Sequence, residues 1–154
     1  MTIYDRVRDA GITLPTLAIP AAAFRPYVLF ENQLIVSGQL PVRDGKVQFT
    51  GKVPDVVSVA NAQSAARLCV INILAWAHHA TQGDLNRIGR VLRLGGFVAT
   101  SEGFVDAPAV INAASELVTQ IFGERGAHAR IAIGVANLPL NAPVEVEATF
   151  ALEG

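Results

Sequence analysis

The sequence predicts an α+β protein in which two long helices cover one face of a two-layer structure with a mixed β-sheet. Two runs near the end of the chain, 129–135 and 144–152, alternate apolar residues with small or polar ones at the period typical of strands. Two long segments, 58–80 and 106–123, carry apolar residues at helical spacing. Since helices follow strands along the chain, packing the helices on one side of the sheet would bury both apolar faces.

The first part of the chain predicts a short helix and an extended connector. Ile3, Val7 and Ala10 recur at helical spacing after Thr2, and Gly11 is a typical helix stop. Residues 12–23 contain two prolines, which favour an extended chain and leave room for a short edge strand. We therefore expect residues 1–23 to form an N-terminal helix and connector, and residues 24–154 to form one domain.

The middle of the chain predicts a hairpin, a turn and one further strand. Residues 27–30 and 34–38 are β-formers around a polar turn, and Asp44-Gly45 turns the chain again before 47–49. Asp84 is placed to cap a short turn ahead of a strand at 91–100. Gly95-Gly96 within that strand indicates close packing or a bulge, because no helix follows to complete a phosphate-binding loop.

The two long helices have clear ends and apolar stripes. Ser58 precedes the first, which contains no Gly or Pro up to residue 80, while Asp106 with Pro108 begins the second and Gly123 ends it. The stripe of the first helix is Ala66, Val70, Ile73, Leu74 and Ala77, and that of the second is Val110, Ala114, Leu117, Val118 and Ile121.

Composition limits the classes of partner. Of the 154 residues, 51% are hydrophobic and only 16% charged, so part of the apolar surface is expected to be buried against copies of the chain. The formal net charge is −1 without a Lys/Arg cluster, which argues against nucleic acid and anionic membrane as partners. The single Cys69, the charged first ten residues and the short apolar stretch at 68–77 lead us to expect a cytoplasmic, soluble chain.

The last two predicted strands carry an arginine and two glutamates that could bind and act on a substrate. Arg130 shares a strand face with small residues, and Glu145 and Glu147 share a face of the final strand. If these two strands pair, the arginine and the glutamates lie on one polar face. An arginine presents a planar fork to a carboxylate and a glutamate can act as a base, so such a face could hold an acid substrate and act on it.

At these positions the chain resembles the RidA/YjgF family, small enamine and imine deaminases also labelled endoribonuclease L-PSP. The family's closing pattern is P-A-R, a strand, L-P with a short loop, and V-E-I-E-A. The matching segments, in order, are Pro26-Tyr27-Val28, Ser37-Gly38-Gln39-Leu40-Pro41, Ile111-Asn112-Ala113, His128-Ala129-Arg130, Leu138-Pro139 and Val144-Glu145-Val146-Glu147-Ala148. The likeness runs from about residue 24 to residue 152, and its strength lies in the order of the motifs.

The resemblance implies a chorismate-mutase-like fold assembled as a homotrimeric barrel. It also implies hydrolysis of reactive 2-enamines and 2-imines to 2-oxo acids and ammonia, with a small carboxylate as ligand and no cofactor. The alternative is a non-catalytic module of the same fold that binds a 2-oxo acid. A ribonuclease is disfavoured by the lack of a basic surface.

The resemblance also assigns roles to individual residues. It implies that Arg130 grips the substrate carboxylate, that Glu145 positions the attacking water, and that Tyr27, Gly38 and Asn112 line the pocket. From the residues alone, plainer interpretations stay open: a salt-bridging arginine, an exposed carboxylate with Glu147 as the weaker candidate, a core tyrosine, a bulge glycine and a helix-surface asparagine.

Three positions depart from the family pattern. Ala132 stands where many members have cysteine, Ser115 where they have an aromatic residue, and His128 where they have proline. His128 either tunes the pocket or faces solvent, and with His78 and His79 it does not form a metal constellation. Cys69, in mid-helix among apolar residues, is a poor nucleophile because burial disfavours the thiolate.

Overall fold

The computed structural model describes residues 1–153, and its helices begin and end where local signals predict. Helix α1 spans Ile3–Asp9 behind a capping box formed by Thr2 and Asp5. Helix α2 spans Val59–Ala80 and α3 spans Ala107–Phe122, with Ser58 and Asp106 as their N-caps. The side chains of these caps accept the N–H groups of Asn61 and Ala109, which would otherwise lack partners.

Five strands form the main sheet in the order β1-β2-β7-β5-β6. They are β1 Tyr27–Phe30, β2 Gln33–Gln39, β5 Ile88–Ala99, β6 Ala129–Val135 and β7 Val144–Leu152. Every pair is antiparallel except β5 with β6, so the sheet is mixed as predicted. The short strands β3 Val42–Arg43 and β4 Lys46–Val47 form a separate hairpin, and β4 ends before the expected 47–49 segment does.

The two long helices lie against one face of the main sheet, which confirms the predicted α+β architecture. The buried face of β7 consists of Val144, Val146, Ala148 and Phe150, and it meets the apolar stripes of α2 and α3. Ile3 and Val7 of α1 join the same buried cluster. Residues 12–26 form no strand, so the short edge strand for which the connector left room is absent.

One glycine fixes how closely α3 approaches the sheet. A Cβ built on Gly96 would come within 2.6–2.7 Å of three side-chain carbons of Ile111, so α3 rests directly on the backbone of β5. A Cβ on the adjacent Gly95 would instead lie 2.6 Å from the Glu147 carboxylate, on the other face of the sheet. The glycine pair therefore marks close packing on both faces, and the helix-free face carries the polar groups of β7.

Candidate functional site

Two glutamates of β7 lie on the face of the sheet that the helices leave open. Glu145 is in register with Phe97, and Glu147 with Gly95. The Glu147 carboxylate is held by Arg93 of β5 at 2.7 Å, so its charge is compensated. Among residues 1–153, no arginine or lysine nitrogen lies within 4.0 Å of the Glu145 carboxylate. The two acids therefore differ in chemistry although they are neighbours on one strand.

Gly38 and Glu145 are brought together by a bulge. The register of β2 on β7 shifts between Val36 and Gln39, and the Glu145 carboxylate packs against Gly38 at this point. A Cβ at position 38 would overlap the Glu145 Oε2 atom. The glycine thus leaves the space that the carboxylate occupies. A glycine at a bulge and a glycine beside a pocket would both leave such a space, so the geometry is compatible with either interpretation of Gly38.

The surroundings of Glu145 favour its protonated form. Burial raises the pKa of its carboxyl, and the nearby charge of Glu147 raises it further. A half-buried carboxyl without a cationic partner takes up a proton more readily than an exposed one. Such a group is suited to receiving a proton from water or returning it to a leaving group.

Arg130 lies on the opposite face of the sheet, beside α3. It is in register with Leu94, which is buried against the helices. The Arg130 Nη1 atom donates to Ser115 Oγ of α3 at 3.2 Å. Among residues 1–153, no carboxylate lies within 4.0 Å of its guanidinium, and the side chain belongs to an exposed residue. Arg130 is thus available to an external anion.

The expected shared face of Arg130 and the glutamates does not exist within one chain. Strand β5 lies between β6 and β7, so the last two strands do not pair. The alternation of side chains then places Arg130 on the helix side and Glu145 on the open side. The apolar residues Ile131 and Ile133 of β6 accordingly point to the open face and are each 40% exposed.

Tyr27 and Asn112, the other two predicted site residues, lie at separate positions in the structure. The Tyr27 hydroxyl is 2.7 Å from Nδ1 of His79, and its ring packs against Trp76 at the β1 edge of the sheet. Asn112 lines an exposed polar groove of about 440 Å³ between α2 and α3, together with Arg67 and Glu116. Tyr27 and Arg130 therefore belong to opposite edges of the sheet, and only Gly38 and Glu145 meet among the five predicted site residues.

A cavity of about 490 Å³ lies beneath the connector, next to Gly38. Leu17, Phe24 and Trp76 line it, and none of its lining residues is charged. Asn72 at its wall donates to the carbonyls of Leu40 and Val42. Within one chain, an anionic ligand would find no counter-charge in this cavity.

The sequence gives no indication of two interactions near the candidate residues. Arg93 neutralises Glu147, and Ser115 with His128 forms a hydrogen-bonded pair beside Arg130 at 2.9 Å. In the sequence Ser115 and His128 are departures from the family pattern, and His128 either tunes the pocket or faces solvent. Their spacing along the chain gives no sign that the middle of α3 and the residue before β6 lie side by side, which is a property of the tertiary fold.

Other kinds of site are not indicated. Residues 1–153 contain no group of three or more His, Cys, Asp or Glu side chains arranged to hold a metal ion. Burial raises the pKa of the Cys69 thiol well above its usual range, which argues against a thiolate nucleophile. Within the same residues, no helix is both long and apolar enough to cross a membrane.

Comparison with known proteins agrees with this architecture over nearly the whole chain. The pattern of the family described as "YjgF/chorismate_mutase-like, putative endoribonuclease" matches residues 4–151. Protein TCP17 of Trypanosoma cruzi is 43% identical over 151 residues, which cover 97% of this chain and 94% of that protein.

Two solved structures superpose closely. Atu1372 of Agrobacterium tumefaciens, a protein of unknown function, is 47% identical with a TM-score of 0.92, over 98% of this chain and 92% of that one. A protein of Shewanella oneidensis MR-1 described as a putative endoribonuclease is 32% identical with a TM-score of 0.93, over 99% and 100% of the two chains. The Escherichia coli YjgF product is 28% identical with a TM-score of 0.59, over 91% and 98% of the chains. The sequence match, the sheet and the helix layer together place the chain in the YjgF/chorismate mutase-like family.

Proposed function

We propose that the protein is a hydrolytic deaminase that converts reactive 2-enamines or 2-imines into 2-oxo acids and ammonia. The observation that carries this proposal is Glu145, a half-buried carboxyl with a raised pKa and no cationic partner, packed against a glycine on an open face. Arg130, exposed and without a carboxylate partner among residues 1–153, supplies the complementary anchor for an acid substrate.

The reaction needs only positioning and proton transfer. Arg130 binds the substrate carboxylate through two parallel hydrogen bonds, and Glu145 accepts a proton as water attacks the imine carbon. Glu145 returns this proton to the substrate nitrogen, the hydroxyl of the resulting carbinolamine gives up its own proton to the nitrogen, and the bond between carbon and nitrogen breaks. Ammonia then leaves as the carbonyl forms. An imine carbon is already electrophilic, so holding it beside an oriented water accounts for the catalysis without a cofactor.

Because Arg130 and Glu145 face opposite sides of the sheet, the proposed site is completed by a second copy of the chain. We propose a homotrimer in which the open faces turn inward and Arg130, at the edge strand β6, lies across the substrate from Glu145 and Gly38 of a neighbour. The open face supports this assembly: Val28 is 50% exposed, Ile35 44%, and Ile131 and Ile133 40% each. Apolar side chains on one sheet face are better accounted for by a partner than by water.

The decisive test is the decay rate of 2-iminobutyrate generated in place by an amino-acid oxidase. Glu145→Gln should bind ligand yet lower turnover by about 10²-fold or more, since an amide cannot accept the proton. Arg130→Lys keeps the charge but loses the planar fork, so its activity should also fall steeply. Glu147→Gln is the matched control, because Glu147 is already paired with Arg93, and its loss should be much smaller.

Two results would contradict the proposed function or the proposed role of Glu145. Wild-type protein that binds 2-oxobutyrate but leaves imine decay at the buffer rate is a binding module of the same fold. Full activity in Glu145→Gln removes that residue from the mechanism.

The names of relatives raise endoribonuclease as a second candidate, since the family description and the Shewanella oneidensis protein both carry that word. The net charge of −1 gives little attraction for a phosphate backbone. Cleavage of a labelled single-stranded RNA that is lost in Glu145→Gln would support the ribonuclease; RNA left intact under conditions of imine turnover would exclude it.

A further inference from the structure

A series of hydrogen bonds connects the guanidinium of Arg130 to the backbone of the turn that follows α3. Arg130 Nη1 donates to Ser115 Oγ at 3.2 Å, and Ser115 Oγ lies 2.9 Å from Nε2 of His128. His128 Nδ1 lies 2.6 Å from the carbonyl oxygen of Gly126. The four groups follow one another without a gap, so the arginine is linked to a fixed backbone atom through two side chains.

The direction of each hydrogen bond is determined by the last acceptor. A carbonyl oxygen only accepts, so His128 must carry its proton on Nδ1 to bond Gly126. In the neutral ring Nε2 is then an acceptor, and the Ser115 hydroxyl donates its only proton to it. The lone pairs of Ser115 Oγ are left for the N–H of Arg130.

The anchor of this series of hydrogen bonds is rigid. Gly126 is buried, and a Cβ at that position would lie 2.8 Å from the carbonyl oxygen of Val118 in α3. The segment Gly123–Gly126 is a short 3₁₀ turn that directly follows α3. Ser115 therefore lies on α3, and the Gly126 carbonyl lies in the turn that packs directly against the same helix.

From this geometry we infer that Ser115 and His128 are positioning residues that hold Arg130 ready to bind the carboxylate of its ligand. An exposed arginine loses much rotational freedom when it grips an anion, and a guanidinium already tethered by one N–H loses less. One of its five N–H groups is used by Ser115, and the others stay free for a bidentate pair. The inference rests on the proposed function in that it takes Arg130 as the ligand anchor.

A competing role for the same groups is a serine nucleophile activated by histidine. The pair has the expected spacing, with the imidazole oriented by a third group. However, the N–H of Arg130 draws on the lone pairs of Ser115 Oγ that would attack a substrate. The guanidinium charge also opposes the imidazolium that proton abstraction would create. The arrangement serves the arginine better than it serves the serine.

The test compares Ser115→Ala with Ser115→Thr, using 2-oxobutyrate as the probe in isothermal titration calorimetry. Ser115→Ala should raise the Kd about tenfold, as expected for losing a hydrogen bond that orders a charged group. The KM for imine decay should rise in parallel while kcat stays near the wild-type value, because Arg130 holds substrate and transition state alike. Ser115→Thr keeps the hydroxyl and should restore the affinity, and His128→Ala should shift Kd in the same direction as Ser115→Ala.

A second readout does not depend on ligand or turnover. In ¹⁵N relaxation measurements the Arg130 Nε–H should be ordered in the wild type and in Ser115→Thr, and mobile in Ser115→Ala. The ¹⁵N shifts of His128 should show the Nδ1–H tautomer in the neutral ring. An Arg130 equally ordered in Ser115→Ala, with an unchanged Kd, would overturn the inference.

The two proposals fail in different ways. If wild-type protein binds 2-oxobutyrate without hydrolysing the imine, the Kd comparison alone decides the positioning role. If it does not bind 2-oxobutyrate, the proposed function fails, and the order of Arg130 in the Ser115 variants still supports or overturns the tether.

Discussion

At the scale of single residues, two identical side chains on one strand acquire different properties from their neighbours. Glu147 meets Arg93 across the strand pair, whereas Glu145 meets Phe97 and a glycine. Alternation along β7 places both glutamates on the same face of the sheet and does not distinguish their surroundings. The neighbouring strands make those surroundings different. A carboxylate left without a counter-charge in a half-buried position costs stability, which is typical of groups kept for chemistry.

We predict that Glu145→Gln stabilises the fold at neutral pH. The pKa of Glu145 is raised in the folded protein, so the folded state holds its proton more tightly than the unfolded chain does. Its favourable contribution is fully present below the ordinary pKa of 4.5 and is lost as pH rises through the raised value. The melting temperature of Glu145→Gln should therefore exceed that of the wild type at about pH 7.5, and the difference should shrink toward about pH 4.

Glu147→Gln serves as the control in the same scans. It removes one partner of the ion pair with Arg93, so it should give no gain at about pH 7.5. A melting-temperature difference for Glu145→Gln that is absent at every pH, or that grows as pH falls, would contradict the prediction.

At the scale of elements, the close contact between α3 and β5 depends on a glycine of β5, which has no side chain. Gly96 lets Ile111 rest on the strand backbone, and this places Ser115, one turn further along α3, beside β6. The same contact therefore fixes both the packing of the layer and the position of the groups around Arg130.

Gly96→Ala should destabilise the protein by about 1–3 kcal/mol, because the added methyl group overlaps Ile111. Urea unfolding at one fixed protein concentration measures the change. In the Ile111→Ala background the same substitution should cost less, since the overlapping carbons are gone, and the double-mutant cycle gives the coupling.

Gly89→Ala is the matched control within β5. A Cβ there meets the Glu153 side chain, which is 62% exposed and free to move away. Equal losses for Gly89→Ala and Gly96→Ala, or no relief by Ile111→Ala, would show that helix contact is not the cause.

The ends of elements were predictable from the sequence, whereas the pairing of strands was not. Ser58, Asp106 and Gly123 act within one turn of their helices, so their meaning is local. Alternation shows which residues share a face of β6 or β7, but it does not say which strand lies between them. Strand β5 lies between β6 and β7 and pairs in parallel with β6. In this register Arg130 lies on the face of the sheet opposite Glu145.

For the candidate site, the sequence names residues as candidates but does not indicate how they are arranged. Motif order directed attention to Gly38 and Glu145, and the structure joins them. The groups around Arg130 depend on where the middle of α3 meets β6, a contact between segments for which the sequence shows no local signal.

At the scale of the whole molecule, the exposed apolar residues on the open sheet face lead us to expect that another copy of the chain covers them. We predict a light-scattering mass close to three times the 16.3 kDa of one chain at micromolar concentration. Ile133→Lys, which puts a charge on that face, should shift the mass toward the single chain and return imine decay to the buffer rate.

Val105→Lys is the control, because Val105 is 89% exposed in the turn before α3 and away from the sheet. It should leave mass and activity unchanged. A wild-type mass near 16.3 kDa would overturn the assembly, and with it the site shared between copies.

The strand order also governs when this chain can fold during its synthesis. The hairpin of β1 and β2 emerges from the ribosome early, but within residues 1–153 the strand that links it to the rest of the sheet is β7, which follows the other four strands of the sheet in sequence. Until residue 152 has been added, Leu34 and Val36 have β1 on one side only, and β5 lacks its β7 neighbour. Completion of the sheet therefore waits for the synthesis of β7, and a nascent chain stalled before β7 exposes apolar strands that chaperones would have to cover.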